Sequence, residues 1–161
     1  MRKIVGPALV VAATLVLPAC RASAPAAVVT SAGEPVADPR AGAGSASAAV
    51  EGFLRAARAN DPTAMARLFG TTAGPITERE AADAVEKRMR ALACYLTHDA
   101  SRIVDNLVGV GQGRALTIEL TQRELTRRSR FTVVSGPGGR WFVEQFEIDK
   151  LSDFCRPATP G

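Results

Sequence analysis

The sequence predicts an α+β fold in which three N-terminal helices pack on one face of a curved, four-strand antiparallel sheet. Three observations carry that expectation. Apolar residues between 48 and 96 recur at helical spacing. After His98 the pattern changes to alternating and β-branched runs separated by turns. Helices that precede every strand imply segregated layers, not a parallel sheet with crossover helices.

Ser47 is placed to cap a first helix over 48–59, with Ala49, Val50, Phe53, Leu54 and Ala57 on one stripe and Glu51, Arg55 and Arg58 off it. Asn60-Asp61-Pro62 ends it and opens a second, since Asp61 can cap and Pro62 suits a first helical position that needs no amide bond. Ala64, Met65, Leu68 and Phe69 follow, and Gly70 is expected to close this short helix in a left-handed conformation. Thr77-Glu78-Arg79-Glu80 has the spacing of a capping box for the third helix, whose stripe is Val85, Met89, Leu92 and Leu96. Its acidic start, with Glu78, Glu80 and Asp83, suits the helix dipole.

Strands are expected over 103–110, 115–122, 129–134 and 140–148. Leu116, Ile118 and Leu120 share one face, and Thr117, Glu119 and Thr121 the other, which describes a half-exposed strand. Ser135-Gly136-Pro137-Gly138-Gly139 reads as a hairpin loop. Phe142, Phe146 and Ile148 are expected to point to the core, which puts Glu144 on the same face without explanation.

Before the domain, Arg2 and Lys3 precede an apolar run over 4–17, too short for a comfortable membrane span. The run ends in Leu17-Pro18-Ala19-Cys20, which resembles the lipobox of bacterial lipoproteins. The resemblance implies diacylglyceryl transfer to the Cys20 thiol and cleavage before it; a plain secretory cut near Ala22 to Ala24 is the alternative. The organisation then reads 1–19 signal peptide, 20–45 lipidated cysteine and disordered Ala, Pro and Ser-rich tether, 46–155 folded domain, and 156–161 flexible tail. A tether of this kind reaches about 5–6 Å times the square root of its length, and several acyl chains make detachment negligible. The expected location is the cell envelope. Arg21 follows the cysteine instead of Asp, which by resemblance to sorted lipoproteins favours the outer membrane, facing the periplasm, in a Gram-negative host.

Charge narrows the function. The formal +4 falls to about +2 once the basic signal residues are removed, and Arg127, Arg128 and Arg130 form the only cluster, so no nucleic-acid partner is expected. An exported compartment is oxidising, and Cys94 and Cys155 are the even pair left after Cys20, so they are expected to form a disulfide between the third helix and the C-terminal segment.

The opening run 49–69, Ala-Val-Glu-Gly-Phe-Leu-Arg-Ala-Ala-Arg-Ala-Asn-Asp-Pro-Thr-Ala-Met-Ala-Arg-Leu-Phe, and the closing run 140–146, Arg-Trp-Phe-Val-Glu-Gln-Phe, resemble the nuclear transport factor 2-like superfamily. The resemblance covers about 46–150 and implies a cone-shaped pocket between helices and sheet. That fold serves isomerases, dehydratases and hydrolases as well as transport adaptors and exported binding modules.

No catalytic, cofactor or metal residues stand out. His98, the single histidine, has Tyr95 and Asp99 beside it and could act as an acid or base, but the helix dipole alone accounts for histidine at a helix C-terminus. Cys94 and His98 have the i, i+4 spacing of metal ligands without further ligands nearby. Gly109-Val110-Gly111-Gln112-Gly113 is similar to a phosphate-binding loop but lacks a following helix, so it reads as a turn. Trp141 and Phe142 read as core more readily than as a ligand platform. The expected function is therefore a non-catalytic, membrane-anchored binding module for a partner protein or small apolar ligand. An isomerase or hydrolase in the cone, and a structural role through an exposed sheet face, are the alternatives.

Overall fold

Helix α1 spans Ala46–Arg58 and is capped by Ser45, whose hydroxyl accepts from the Ala48 amide at 3.2 Å, so the start lies two residues before the expected cap at Ser47. The earlier start buries Ala46 along with Ala49, Val50, Phe53, Leu54, Ala56 and Ala57, which extends the predicted stripe by one turn. This description rests on a computed structural model that describes residues 41–108 and 113–156. Asp61 caps α2, Pro62–Leu68, by accepting from the Ala64 amide at 2.9 Å, with Pro62 in the first turn as expected.

Gly70 does not close α2. Phe69 leaves the helix in an extended conformation, and Gly70 enters a two-residue ribbon of β1, Gly70–Thr71, and β2, Gly74–Pro75. A Cβ on Gly70 would lie 2.4 Å from the Gly74 carbonyl oxygen, so close backbone approach is what glycine serves there. The capping box does not form either. Ile76 is drawn into the core at 2% exposure, its amide bonded to the Phe69 carbonyl, and this places Ile76–Glu78 in a 3-10 turn. Helix α3, Ala82–Tyr95, then starts from an extended Ala81 with no side-chain cap, while Glu80 pairs with Arg88 at 2.9 Å. Val85, Met89 and Leu96 of the predicted stripe are buried and Leu92 is half-buried.

The sheet is an antiparallel meander in the order β3 (Ala100–Val108), β4 (Gly113–Gln122), β5 (Leu125–Ser135) and β6 (Trp141–Phe146). Leu116, Ile118, Leu120, Phe131, Val133 and Val143 face the helices with no exposed surface. Of the glycine-rich stretch 109–113, residues 109–112 lie outside the described residues; the strands flanking them are hydrogen-bonded neighbours.

A bulge decides which side chains of β6 enter the core. The pairing jumps from Thr132↔Gln145 to Val133↔Val143, so Glu144 is the extra residue and the alternation changes phase around it. Phe146 and Val143 therefore both face the helices, and Glu144 is not the buried charge that strict alternation required. Phe142 is buried on the opposite face, in a separate cluster with Val134 and Ala41. Ile148, expected in the core, is 38% exposed because the strand has ended and a 3-10 segment, Ile148–Cys155, begins there; Leu151 and Phe154 take its place in the core.

The domain also begins earlier than expected. Ala43, assigned to the tether from sequence, forms an antiparallel bridge with Trp141 through paired bonds of 2.9 and 2.8 Å. Arg140 donates to the carbonyls of Ala41 and Gly42, and Gly42 has φ of 69°, where a side chain would also collide with Phe142.

Replacing Phe131 with Ala is expected to lower the unfolding free energy by about 3–5 kcal/mol in urea titrations. Ile148→Ala is expected to change it by no more than about 1 kcal/mol, because half-exposed surface is all that is lost. Comparable losses at the two positions would contradict the bulged register.

Candidate functional site

On the helix-facing side of the sheet Leu116, Ile118, Leu120, Phe131 and Val133 have no exposed surface, and neither has Phe53 of α1. Phe53 of α1 stacks on Phe69 at 5.8 Å and meets Phe146 at 6.4 Å, and Phe146 stacks on Phe131 at 5.0 Å. Trp141 is half-buried against the same core, with the Arg114 guanidinium 5.6 Å from its ring centroid. Among the described residues, surface clefts include one of about 360 Å³ between α2 and α3, bounded by Ala66, Val85, Thr63 and Glu86, one of about 570 Å³ between the β4–β5 turn and the C-terminal segment, bounded by Arg123, Leu125, Asp153 and Phe154, and one of about 390 Å³ beside His98, Arg58 and Arg90.

Polar chemistry concentrates on the other face of the sheet. Alternation and register place Thr117, Glu119 and Thr121 of β4 beside Arg102 of β3 and Thr126, Arg128, Arg130 and Thr132 of β5. Glu119 is the hub. Its Oε1 accepts from Nε and Nη2 of Arg102 at 2.7 Å, and its Oε2 accepts from Nε and Nη2 of Arg128 at 2.9 Å. The carboxylate is only 15% exposed, whereas the two arginines are 68% and 63% exposed. Hydrogen bonds from Arg102, then Arg128, hold the Glu119 carboxyl below its ordinary value of 4.5.

The predicted arginine cluster is divided among different tasks. Arg128 joins Glu119, while Arg127 reaches Asp153 in the C-terminal 3-10 segment at 2.8 Å, which lowers the Asp153 carboxyl from its ordinary 3.8. Sequence reading missed the Glu119 hub because Arg102 and Arg128 lie 17 and 9 residues away from it along the chain. The signal was the opposite charges on the exposed face of three runs, which only a known register brings together.

His98 and Asp99 do not cooperate. The His98 ring is 6% exposed, and its Nδ1 lies 2.6 Å from the Leu96 carbonyl oxygen; because a carbonyl can only accept, Nδ1 carries the proton. The Asp99 carboxylate instead accepts from the Arg123 amide at 2.6 Å, holding the β4–β5 turn where Arg123 has φ of 55°. Tyr95 is half-buried against the core. Cys94 is bonded to Cys155, with Cα atoms 5.0 Å apart, so its sulfur is committed to a staple between α3 and the C-terminal segment. Cys20, the expected lipidation site, lies outside the described residues. Among the described residues no helix is long and apolar enough to cross a membrane.

Fold and site together define a class of protein: an α+β unit with an aromatic core, a disulfide-closed C-terminal segment, and a polar sheet face built on paired charges. No protein family and no curated protein matches the chain. Among solved structures, a match is an NTF-2 like protein of unknown function from Silicibacter pomeroyi, 21% identical, with a TM-score of 0.43, covering 63% of this chain and 90% of that one.

The staple closes a loop of 61 residues, so a Cys94→Ala, Cys155→Ala double variant is expected to lose about 4 kcal/mol of stability by the loop-entropy relation. A melting temperature unchanged by reduction would rule that out. Acid should act through the two lowered carboxyls. Their contribution is complete above the ordinary values of 4.5 and 3.8 and is lost as pH falls through the lower folded values. Denaturant titrations at pH 7 and pH 3 should therefore differ less for Glu119→Gln than for the parent chain; equal differences would refute the linkage.

Proposed function

We propose that this chain is a lipid-anchored protein of the bacterial envelope whose domain, of the nuclear transport factor 2-like kind, is a non-catalytic docking module for a partner protein. The order of three helices and a four-strand meander supports the kinship, and the Leu17-Pro18-Ala19-Cys20 run supports the anchor. The observation that carries the docking role is the outer face of the sheet, where Glu119 holds Arg102 and Arg128 and both guanidinium groups stay largely exposed. On the other face Leu116, Ile118, Phe131 and Val143 are wholly buried in the core. A ligand seated among these core side chains would have to displace residues each stabilised by roughly 1.5–3 kcal/mol of burial.

A protein partner needs no such space. The outer sheet face offers threonine hydroxyls and exposed guanidinium groups on a rigid four-strand platform, a surface suited to polar, charge-complementary contacts. His98 binds the Leu96 carbonyl through Nδ1 and Asp99 binds the Arg123 amide, so the two side chains are not joined as an acid–base pair.

The anchor is tested by producing the full chain and Cys20→Ala in a bacterial host. The parent chain should partition with membranes, with a thioether-linked diacylglyceryl group on Cys20 by mass spectrometry, and Cys20→Ala should leave the membrane fraction. An unmodified N-terminus downstream of Cys20 would sink the anchor. Photo-crosslinking groups at Thr117 or Thr132 should capture a discrete partner that the same group at Glu51, on the exposed side of α1, does not; equal capture at all three positions would count against docking on the sheet.

A further inference from the structure

The two edges of the sheet differ. Outside β6, backbone bridges from Ala43 and Phe69 occupy the edge, whereas β3 pairs with β4 on one side and with no other described residue on the other. A nine-residue edge strand presents a row of unpaired N–H and C=O groups, a template for another strand.

Its bulge makes that template self-complementary. Pairing passes from Ile103↔Ile118 to Asp105↔Thr117, so Val104 is the extra residue. Arg102 and Asp105, three apart, consequently lie on the same outer face, where a regular strand would set them on opposite faces. Both are exposed, and Ile103 and Val104 between them are half-buried.

We propose that β3 pairs antiparallel with β3 of a second copy, about a two-fold axis perpendicular to the sheet that passes between Ile103 and Val104. Arg102 then lies opposite Asp105 of the second copy, Ser101 opposite its Asn106, and Ala100 opposite its Leu107. Symmetry makes each contact twice, as in any isologous pair. Leu107, 52% exposed, gains cover from the facing alanine. A register shifted by one residue sets Arg102 or Asp105 against a residue of the other face, so the charges select this alignment. The axis leaves both outer faces on one side, and both chains enter beside that face at Ala41, packed with Val134 and Phe142. Two lipid anchors can thus share one membrane. That last consequence rests on the proposed anchor; the strand pairing does not.

Directly opposed residues of an antiparallel pair have Cα atoms about 4.5–5.5 Å apart, within disulfide range. Full chains carrying Ser101→Cys and Asn106→Cys, mixed in detergent and oxidised, should crosslink to each other several-fold more than either variant alone. Arg102→Asp should cut the yield about tenfold, since it replaces two opposed pairs by two repulsions, and Asp105→Arg should do the same. The two substitutions combined should restore most of it, with melting curves checking that each variant stays folded. The same pattern in a Cys20→Ala background supports the pairing even where the anchor fails. Equal crosslinking by single and mixed variants, no rescue by the combined swap, or a monomeric mass at the highest concentration reached would overturn it, and the edge charges would then serve to keep β3 unpaired.

Discussion

Four phenylalanine rings tie the layers of this domain together, and most of its other features follow from them. Phe53 on α1, Phe69 at the end of α2, Phe131 on β5 and Phe146 on β6 form a continuous chain of contacts between 5.0 and 6.4 Å. Most of the sheet's buried surface lies on its helix-facing side, which α1 covers along β5 and β6. Aromatic rings supply enough area to do so in a domain of this size, and they do it by filling the space between the layers. Close contact between these rings is thus how a small unit holds its layers together.

The surfaces divide according to the same geometry. On the outer sheet face charge is paired, not dispersed, with Glu119 held between Arg102 and Arg128 across three strands. That arrangement stiffens the platform and leaves the outer rims of the guanidinium groups exposed. At the C-terminal end, the Cys94–Cys155 bond and the Arg127–Asp153 pair fasten the 3-10 segment to α3 and β5 independently. Leu151 and Phe154, both buried, then cover an end of the core that the sheet leaves open.

Two bulges shape what each edge can do. The one at Glu144 turns Phe142 to the outer face, where it receives Ala41 and closes the β6 edge with the incoming chain. The one at Val104 brings Arg102 and Asp105 onto a common face at the open edge. One inserted residue in each outer strand changes the phase of a period-two pattern, which is a large effect from a local cause.

Local signals were legible wherever a residue acts on its own neighbours. The α1 stripe, the Asp61 cap with Pro62 behind it, and the alternation of Leu116, Ile118 and Leu120 depend on spacings of a few residues, and they stand as read. The expectation of an oxidising compartment paired Cys94 with Cys155, and the structure joins them. Signals failed where distant burial competed with local preference. Ile76 enters the core and breaks the capping box at Thr77, Gly70 yields its helix-ending role to a ribbon that needs its bare backbone, and Ser45 caps in place of Ser47 because the helix gains a buried Ala46. By itself, then, the sequence determined the order of the three α-helices and the four strands of the main sheet and the identity of the staple, because periodicity, turn chemistry and thiol oxidation are properties of nearby or like residues. Only the tertiary structure decided the strand registers, the two bulges, the Glu119 hub and the ring contacts of the core, because each depends on which face of one strand meets which face of another, and a shift of a single residue reverses that choice.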